Sequence, residues 1–166
     1  MSENSKIILN GMRDIRSFAF HILYAAESFD YAISVDEIVQ NFRDGYGLEI
    51  EDDSKAILMA FNTIQERQTL DEIIKPLLKN WKIDRLGVCT LLILRMAIWE
   101  IQQRLLPPSI IINEAIELAK DFAEKDSYKF VNGILDEVCK NLNITDQDEA
   151  YAGVNNHEPE DNSDIK

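Results

Sequence analysis

The sequence contains few of the residues that interrupt helices. It has only six Gly and four Pro among 166 residues, and two of the prolines are adjacent, at Pro107 and Pro108. Long helices are therefore permitted over most of the chain. No run shows the alternation of apolar and polar residues that is typical of a β-strand, and no internal repeat is evident. These absences predict an all-α fold.

Cysteine and histidine are also scarce. Cys89 and Cys139 lack the CxxC spacing that indicates a zinc site or a disulfide framework, so reduced thiols are expected. A helical di-metal site needs Glu-x-x-His motifs, whereas His21 and His157 lie far apart. There is also no P-loop, nucleophile elbow or glycine-rich phosphate loop. We therefore expect no catalytic residue, no metal ligand and no cofactor.

Long apolar runs are missing as well. The longest, from Leu86 to Leu94, is interrupted by Thr90 and followed by Arg95. It is shorter than the ~18 residues that a membrane span requires. The run at residues 7–9 is too short for the apolar region of a signal peptide. These features predict a cytoplasmic protein that does not associate with membranes.

Positive charge is limited, because 17 Lys and Arg face 30 Asp and Glu and the net charge is −13. Residues 143–166 contribute −6 of this total and contain few large apolar groups. Such a segment cannot bury enough surface to offset its loss of entropy on ordering, so a disordered acidic tail is predicted. The overall charge favours basic partners and by itself disfavours nucleic acid.

Hydrophobic periodicity predicts about seven helices in two packed bundles, over residues 1–80 and 81–142, before the tail at 143–166. The first bundle has three helices. They cover residues 10–28, residues from an N-cap at Ser34 to about 44, and residues 51–77, where Pro76 is either a kink or a boundary.

The second bundle begins with a helix that Asp84 is expected to cap. This helix is apolar nearly all round, which indicates a buried central element. Pro107 and Pro108 end it and start the next helix. Asp126 or Ser127 is expected to cap the last helix. Gly133 lies in the middle of that helix, where close packing of another helix is the preferred explanation and a ligand contact the alternative.

The first helix carries a second pattern opposite its apolar stripe. Arg13, Arg16, Phe20 and Tyr24 fall within roughly 80° of one another at the helical rotation of about 100° per residue. Cations interleaved with aromatic rings suit single-stranded nucleic acid, because phosphates bind the cations and bases stack on the rings. Equally, the two aromatic residues can pack on the second bundle. For Arg95, a structural ion pair is favoured over a ligand contact.

Several segments together resemble the NusB family of transcription antitermination factors. They are "INEAIELAK", "KDSYKFVNGILDEV", "LRMAIWEI" before a proline-containing turn, and more weakly "RDIRSFAFHILYA". The resemblance covers about residues 13–142. It implies a fold of two helical bundles and no catalysis. It also implies binding of boxA-like RNA, the boxA segment of nascent ribosomal RNA, together with the ribosomal protein NusE in an RNA polymerase antitermination complex.

The resemblance also implies a set of RNA-binding residues on both sides of one groove. These are Arg13, Arg16, Tyr24, Arg95, Asn113, Lys120, Asp126, Lys129 and Phe130. Two places depart from the family pattern. Asp14 stands where a basic residue is common, and the segment 89–92 is uncharged where the family often carries charge.

Two functions from different classes therefore stay open. If RNA is bound through four cations, the salt dependence is shallow, with a slope of about −3, so cooperation with basic NusE is expected. The alternative is a helical adaptor or possible homodimer that has weak or lost RNA binding. An RNA-modifying enzyme would need a cofactor domain, for which 166 residues leave no room.

Overall fold

A computed structural model describes residues 8–52 and 54–151 of the chain. Within these ranges it contains seven α-helices, three short 3-10 helices and no β-strand, which confirms the all-α prediction. The α-helices are α1 (Met12–Ser28), α2 (Val35–Tyr46), α3 (Lys55–Gln65), α4 (Arg67–Ile74), α5 (Val88–Gln102), α6 (Pro108–Phe122) and α7 (Ser127–Leu142). The 3-10 helices are Lys75–Leu78, Ile83–Arg85 and Glu149–Tyr151.

Helix α2 begins and ends at the residues that its sequence indicates. The backbone N–H of Glu37 donates to the Ser34 hydroxyl oxygen at 3.2 Å, so the predicted N-cap is confirmed. At the other end, Gly47 has φ +63°, a left-handed conformation that glycine adopts without steric cost. The chain can therefore turn sharply toward α3.

The single helix predicted over residues 51–77 is wrong, because the structure divides it into α3, α4 and a 3-10 helix. The first division lies at Glu66, whose φ of −94° and ψ of 4° depart from α-helical values. The next residue, Arg67, donates to the Ile64 carbonyl oxygen and lies over the Tyr31 ring, 4.2 Å from its centroid. Pro76 lies in the 3-10 helix. The division lets α3 pack on α1 while α4 packs on α5.

Helix α5 is the central element, as its sequence predicts. It contacts α1, α3 and α4 as well as α6 and α7, and its run from Leu92 to Ile98 is buried. Its N-cap is Gly87, so the predicted cap at Asp84 is wrong; Asp84 lies in the preceding 3-10 helix. Residues from both predicted bundles join one continuous hydrophobic core around α5. The division near residue 80 therefore stays a prediction about folding units.

The second half of the chain follows α5 with an antiparallel helix pair. Pro108 is the first residue of α6, which confirms that the two prolines start this helix. They do not end α5, which already stops at Gln102. Helices α6 and α7 then pack on each other and on α5. Gly133 on α7 is exposed, and a Cβ atom built there meets nothing within 4 Å. The predicted close packing of a helix at this glycine is therefore wrong.

The predicted start of the tail at residue 143 is wrong. Ile144 and Tyr151 are buried, so residues 143–151 are part of the fold. Asp146 accepts a hydrogen bond from the backbone N–H of Ser109 at the start of α6, and Asp148 pairs with Arg104 at 3.2 Å. The rest of the predicted tail, residues 152–166, lies outside the described residues. So does residue 7 of the apolar run at residues 7–9. Within the described part, no helix is both long enough and apolar enough to cross a membrane.

Candidate nucleic-acid interface

Arg13 lies at the start of α1 with its guanidinium in water. Its side chain is 70% exposed, and its Nε and Nη2 atoms donate to the two carboxylate oxygens of Glu114 on α6 at 3.2 and 3.1 Å. These hydrogen bonds and the charge of Glu114 raise the pKa of Arg13. Arg13 is therefore accessible to a ligand, but a phosphate must replace or share its carboxylate partner.

Arg16, one turn further along α1, is enclosed by protein. Its side chain is 4% exposed, and it donates to the Glu100 carboxylate on α5 at distances of 2.6, 2.9 and 3.2 Å. The expectation that this guanidinium contacts RNA directly must therefore be corrected. A buried cation needs a partner for its charge, and Glu100 supplies it. The pair joins the first helix to the central helix.

Arg95 on α5 is buried in a second ion pair. Its Nε and Nη2 atoms donate to the Asp71 carboxylate of α4 at 2.7 and 2.8 Å, and Glu27 lies 3.7 Å away. Burial opposes the charge of Arg95, but the hydrogen bonds and charge of Asp71 raise its pKa. The structural ion pair favoured by residue-level reasoning is present, and the direct RNA contact implied by the family resemblance is contradicted by this burial.

Tyr31 extends this network toward α2. Its hydroxyl donates to Glu27 and lies 3.3 Å from Nη1 of Arg95. Burial and the hydrogen bond to Glu27 raise the pKa of Tyr31 to about 12, so the hydroxyl keeps its proton at neutral pH. The network fixes α1, α4 and α5 relative to one another.

Aromatic side chains line the border between α1 and α6. Phe20 is buried and stacks on Phe122 with ring centroids 5.0 Å apart, while His21 meets the same ring edge-on at 5.1 Å. Tyr24 is 47% exposed, with its ring 6.4 Å from that of Phe20. The expectation of a common exposed face therefore holds for Tyr24 and not for Phe20. Phe122 is half exposed although its position in the apolar stripe of α6 predicts a core residue.

A second group of predicted residues meets where α6 approaches the start of α7. The ammonium groups of Lys120 and Lys129 lie 5.3 and 5.8 Å from the centroid of the Tyr128 ring. We name these three residues the Tyr128 corner. The sequence predicted the two lysines as RNA-binding residues but not the tyrosine. The signal that could have indicated Tyr128 is its position directly before Lys129.

Each lysine of the Tyr128 corner also pairs with a carboxylate one turn away. Lys120 donates to Glu117 at 2.9 Å, and Lys129 lies 3.6 Å from Asp126. Asp126 precedes α7 with a φ of +65°, a left-handed conformation that aspartate tolerates better than most residues. Its side chain makes no capping hydrogen bond within the described structure. The left-handed backbone turn, and not a side-chain cap, therefore marks the start of α7.

The Arg13–Glu114 pair and the Tyr128 corner form one line of alternating charge, which we name the charged seam. Hydrogen bonding and the charge of Lys120 lower the pKa of Glu117, and the charge of Arg13 contributes in the same direction. Glu117 thus stands electrostatically between Arg13 and Lys120. Asn113 is exposed on the same helix, α6. The arrangement offers cations and a ring to an anionic strand, and carboxylates to a basic protein.

Phe130 lies apart from this line. It is half-buried on α7 and borders an open hollow that also contains Trp81. The nine predicted RNA-binding residues therefore do not share one surface. Arg16 and Arg95 lie in the protein interior, Phe130 borders this hollow, and the exposed cations belong to the charged seam. Within residues 8–52 and 54–151 no group of three His, Cys, Asp or Glu side chains is placed to hold a metal ion.

Comparison with known proteins identifies the family to which this geometry belongs. The family model described as "NusB family" matches residues 13–140. The chain is 37% identical over 127 residues to the "Transcription antitermination protein NusB" of Staphylococcus epidermidis, covering 76% of this chain and 96% of that protein. It is 39% identical over 124 residues to the protein of the same name from Staphylococcus carnosus, covering 74% and 94%.

A solved structure has the same fold. The structure described as "T. maritima NusB, P3121, Form 2" superposes with a TM-score of 0.68 at 28% sequence identity. The match covers 87% of this chain and 99% of that one. The correspondence therefore extends over both helical bundles.

Proposed function

The chain belongs to the NusB family of transcription antitermination proteins, which are not enzymes, and from this premise we propose that it binds boxA-like single-stranded RNA cooperatively with the ribosomal protein NusE. It would do so in the cytoplasm, as part of an RNA polymerase antitermination complex. The observation that carries the proposal beyond family membership is the Tyr128 corner, where two lysines flank one aromatic ring.

The corner combines the two interactions that single-stranded RNA offers. Phosphates are bound by exposed cations, and an unpaired base can stack on a ring. Lys120 and Lys129 are exposed, and Arg13 extends the cationic line along α1. Asn113 can add a hydrogen-bonding amide on α6, and Asp126 limits affinity because it competes for Lys129.

The buried arginines have a positioning role in this proposal. Arg16 and Arg95 each hold a carboxylate of another helix, so they keep α1, α4 and α5 in register. Their substitution would disturb the surface indirectly. Tyr24 and Phe130 remain proposed RNA contacts at the two margins of the surface.

The pairing of the exposed cations explains why a partner is needed. With Arg16 and Arg95 buried, three accessible cations remain in the predicted set: Arg13, Lys120 and Lys129. Their neutralisation of three phosphates corresponds to a salt slope of only about −2. Each phosphate must also compete with Glu114, Glu117 or Asp126. Basic NusE would relieve this by covering the carboxylates and adding its own RNA contacts.

A titration of boxA-like RNA by gel shift, with and without NusE, tests the cooperation. We expect RNA affinity to rise sharply when NusE is present. Replacing Lys120 and Lys129 by Ala should weaken RNA binding and reduce the salt slope by about 1.4, from about 0.7 per phosphate contact. Equal affinity with and without NusE would contradict the cooperative mechanism.

Lys75→Ala is a matched control for Lys120→Ala. Lys75 pairs with Glu72 at 2.6 Å in the same i,i+3 geometry, and the exposed fractions of the two lysines are 48% and 47%. The control variant should bind RNA as the wild type does. A loss of the same size in both variants would show that only net charge matters.

The helical adaptor or homodimer remains the second candidate, and the exposed rings of Tyr24 and Phe122 favour it. Aromatic side chains on a surface are typical of protein contacts. Sedimentation analysis with and without NusE, using Tyr24→Ala, distinguishes the two functions. An adaptor would lose its protein partner in this variant and would show no RNA binding in any form.

A further inference from the structure

Trp81 lies at the meeting point of three adjoining hollows. Their volumes are about 530, 460 and 380 Å³, and Trp81 borders all three. The indole is 63% exposed although it is large and apolar. On the opposite side, Phe130 and Gly133 of α7 border the largest hollow. We name the space between residues 77–87 and these two residues the Trp81 cleft.

The backbone that carries Trp81 is held by hydrogen bonds. The backbone N–H of Trp81 donates to the carbonyl oxygen of Leu78 at 2.9 Å. The backbone N–H of Arg85 donates to the carbonyl oxygen of Lys82 at 3.0 Å. Both hydrogen bonds close tight turns beside short 3-10 helices. The indole is therefore presented from a fixed segment, which lowers the entropy cost of using it as a contact surface.

Three cations surround this indole. Lys79, Lys82 and Arg85 border the hollows, and none of them forms an ion pair with any residue of the described ranges. Arg13, Lys120 and Lys129 all have carboxylate partners within 4 Å. Lys82 and Arg85 can therefore accept a phosphate without displacing a protein group, whereas Lys79 also interacts electrostatically with Glu137.

Two of the three acidic groups near the cleft are already engaged. Glu137 accepts a hydrogen bond from Lys140 at 2.8 Å, and Glu124 accepts hydrogen bonds from Thr90 and Ser127 at 3.2 Å. Asp84 is exposed in the 3-10 helix between Lys82 and Arg85. In a chain with a net charge of −13, the cleft places three cations beside an exposed indole, with Asp84, Glu124 and Glu137 as the neighbouring acids.

The α7 side of the cleft leaves space for a flat group. Gly133 presents no side chain, and a Cβ atom built there would meet nothing within 4 Å. Phe130 supplies a second ring at the same hollow. A planar base that enters beside Trp81 would therefore meet no steric obstacle at Gly133, in a hollow that Phe130 also borders.

We propose that the Trp81 cleft is a second contact site for single-stranded RNA, in which a base stacks on Trp81 and the flanking phosphates bind Lys79, Lys82 and Arg85. The inference rests on the proposed RNA-binding function and extends it to Trp81, Lys79, Lys82 and Arg85, which are outside the predicted set, while Phe130 belongs to both. RNA is favoured over an acidic peptide because the peptide would use the cations and leave the indole and Phe130 without a planar partner.

Tryptophan fluorescence reports on this site directly. The chain has two tryptophans, Trp81 and the half-buried Trp99. In a Trp99→Phe variant of the full chain, the emission therefore comes from Trp81. A short boxA-like oligoribonucleotide should quench this emission in a saturable manner that weakens with salt. Poly-glutamate of equal charge concentration should quench it little, and equal quenching by both would overturn base stacking.

Binding measurements on the chain with Trp99 intact provide the second readout. Trp81→Ala should weaken RNA binding by about 5- to 100-fold, the range for loss of one stacked base. Replacing Lys79, Lys82 and Arg85 together by Ala should reduce the salt slope by about 2. Lys55→Ala is the control, because Lys55 is exposed on α3, which does not border the cleft.

The outcomes separate this inference from the proposed function. RNA binding that depends on Lys120 and Lys129 but is unchanged in Trp81→Ala would overturn the cleft and leave the proposed function intact. Binding that depends on Trp81 and not on the Tyr128 corner would support the cleft and relocate the RNA surface. Absence of RNA binding by the full chain, alone and with NusE, would overturn both.

Discussion

Arg13 and Arg16 lie one turn apart on α1, and each holds a glutamate of the second half of the chain through Nε and Nη2. Arg13 stands in water while its partner Glu114 is largely covered, whereas both Arg16 and Glu100 are enclosed. An exposed pair contributes about 0–1 kcal/mol and can exchange partners. A buried pair cannot lose one member without leaving an uncompensated charge. The same chemistry therefore leaves an accessible cation at one position and joins two helices at the other.

The largest expected effect comes from breaking the buried pair. Glu100→Ala should lower the free energy of unfolding by about 3–5 kcal/mol, because Arg16 would remain charged inside the protein. Urea denaturation followed by circular dichroism measures this loss. Glu114→Ala is the matched change at the exposed pair and should cost less than about 1 kcal/mol. Similar losses in the two variants would remove the distinction between the pairs.

Replacing both members of the buried pair sharpens the comparison. Arg16→Met combined with Glu100→Leu should recover most of the lost stability and can exceed the wild type by about 1–4 kcal/mol, because no charge is left inside. RNA affinity of this folded double variant should stay close to that of the wild type if Arg16 only positions α1. A selective loss of RNA binding in a stable double variant would restore Arg16 as a direct contact.

The exposed pair should affect binding more than folding. Arg13→Ala should leave the free energy of unfolding close to that of the wild type, because the guanidinium stands in water, and should reduce the salt slope of RNA binding by about 0.7. Glu114→Gln should have the opposite effect on affinity and raise it by up to about fivefold, because Arg13 is released from its partner. Gel shifts at several salt concentrations measure both. Unchanged affinity in the two variants would exclude Arg13 from the RNA surface.

The smallest effect concerns the titration of Glu117. Its pKa is lowered by hydrogen bonding to Lys120 and by the charge of that lysine, so Lys120→Ala should raise the pKa toward the ordinary value of glutamate. The contribution of this pair to stability is present above the ordinary pKa and is lost as pH falls through the lowered one. Wild type and variant should therefore converge in stability in acid. Carbon-detected NMR of the carboxylate follows the titration, and an unshifted pKa in the variant would contradict the pairing.

Local sequence signals predicted the parts of the fold that depend on neighbouring residues. The cap at Ser34, the proline start of α6 and the all-round apolar character of α5 each follow from residues within one or two turns. The division at Glu66 was missed because no Gly or Pro marks it. It depends on α3 packing on both α1 and α5 while α4 packs on α5, and that information is not local.

The candidate site was predictable in identity but not in exposure. The family resemblance selected both arginines of α1, and only the position of α5 decides that Arg16 faces Glu100. The sequence did not indicate Trp81 as a site residue, because a tryptophan between two helices is equally consistent with a core residue and with an exposed one. Its exposure, and the absence of ion pairs at its neighbouring cations within the described residues, emerge only when the segment is placed beside α7.

The amino-acid sequence by itself determined that this chain is helical, acidic and related to antitermination factors, because periodicity, composition and short motifs are properties of neighbouring residues. The tertiary structure alone decided which cations are enclosed, which are paired in water and which are unpaired. Ion pairs join residues up to 101 positions apart in the sequence, and solvent exposure likewise depends on distant residues. They arise from how helices pack, so no local pattern encodes them.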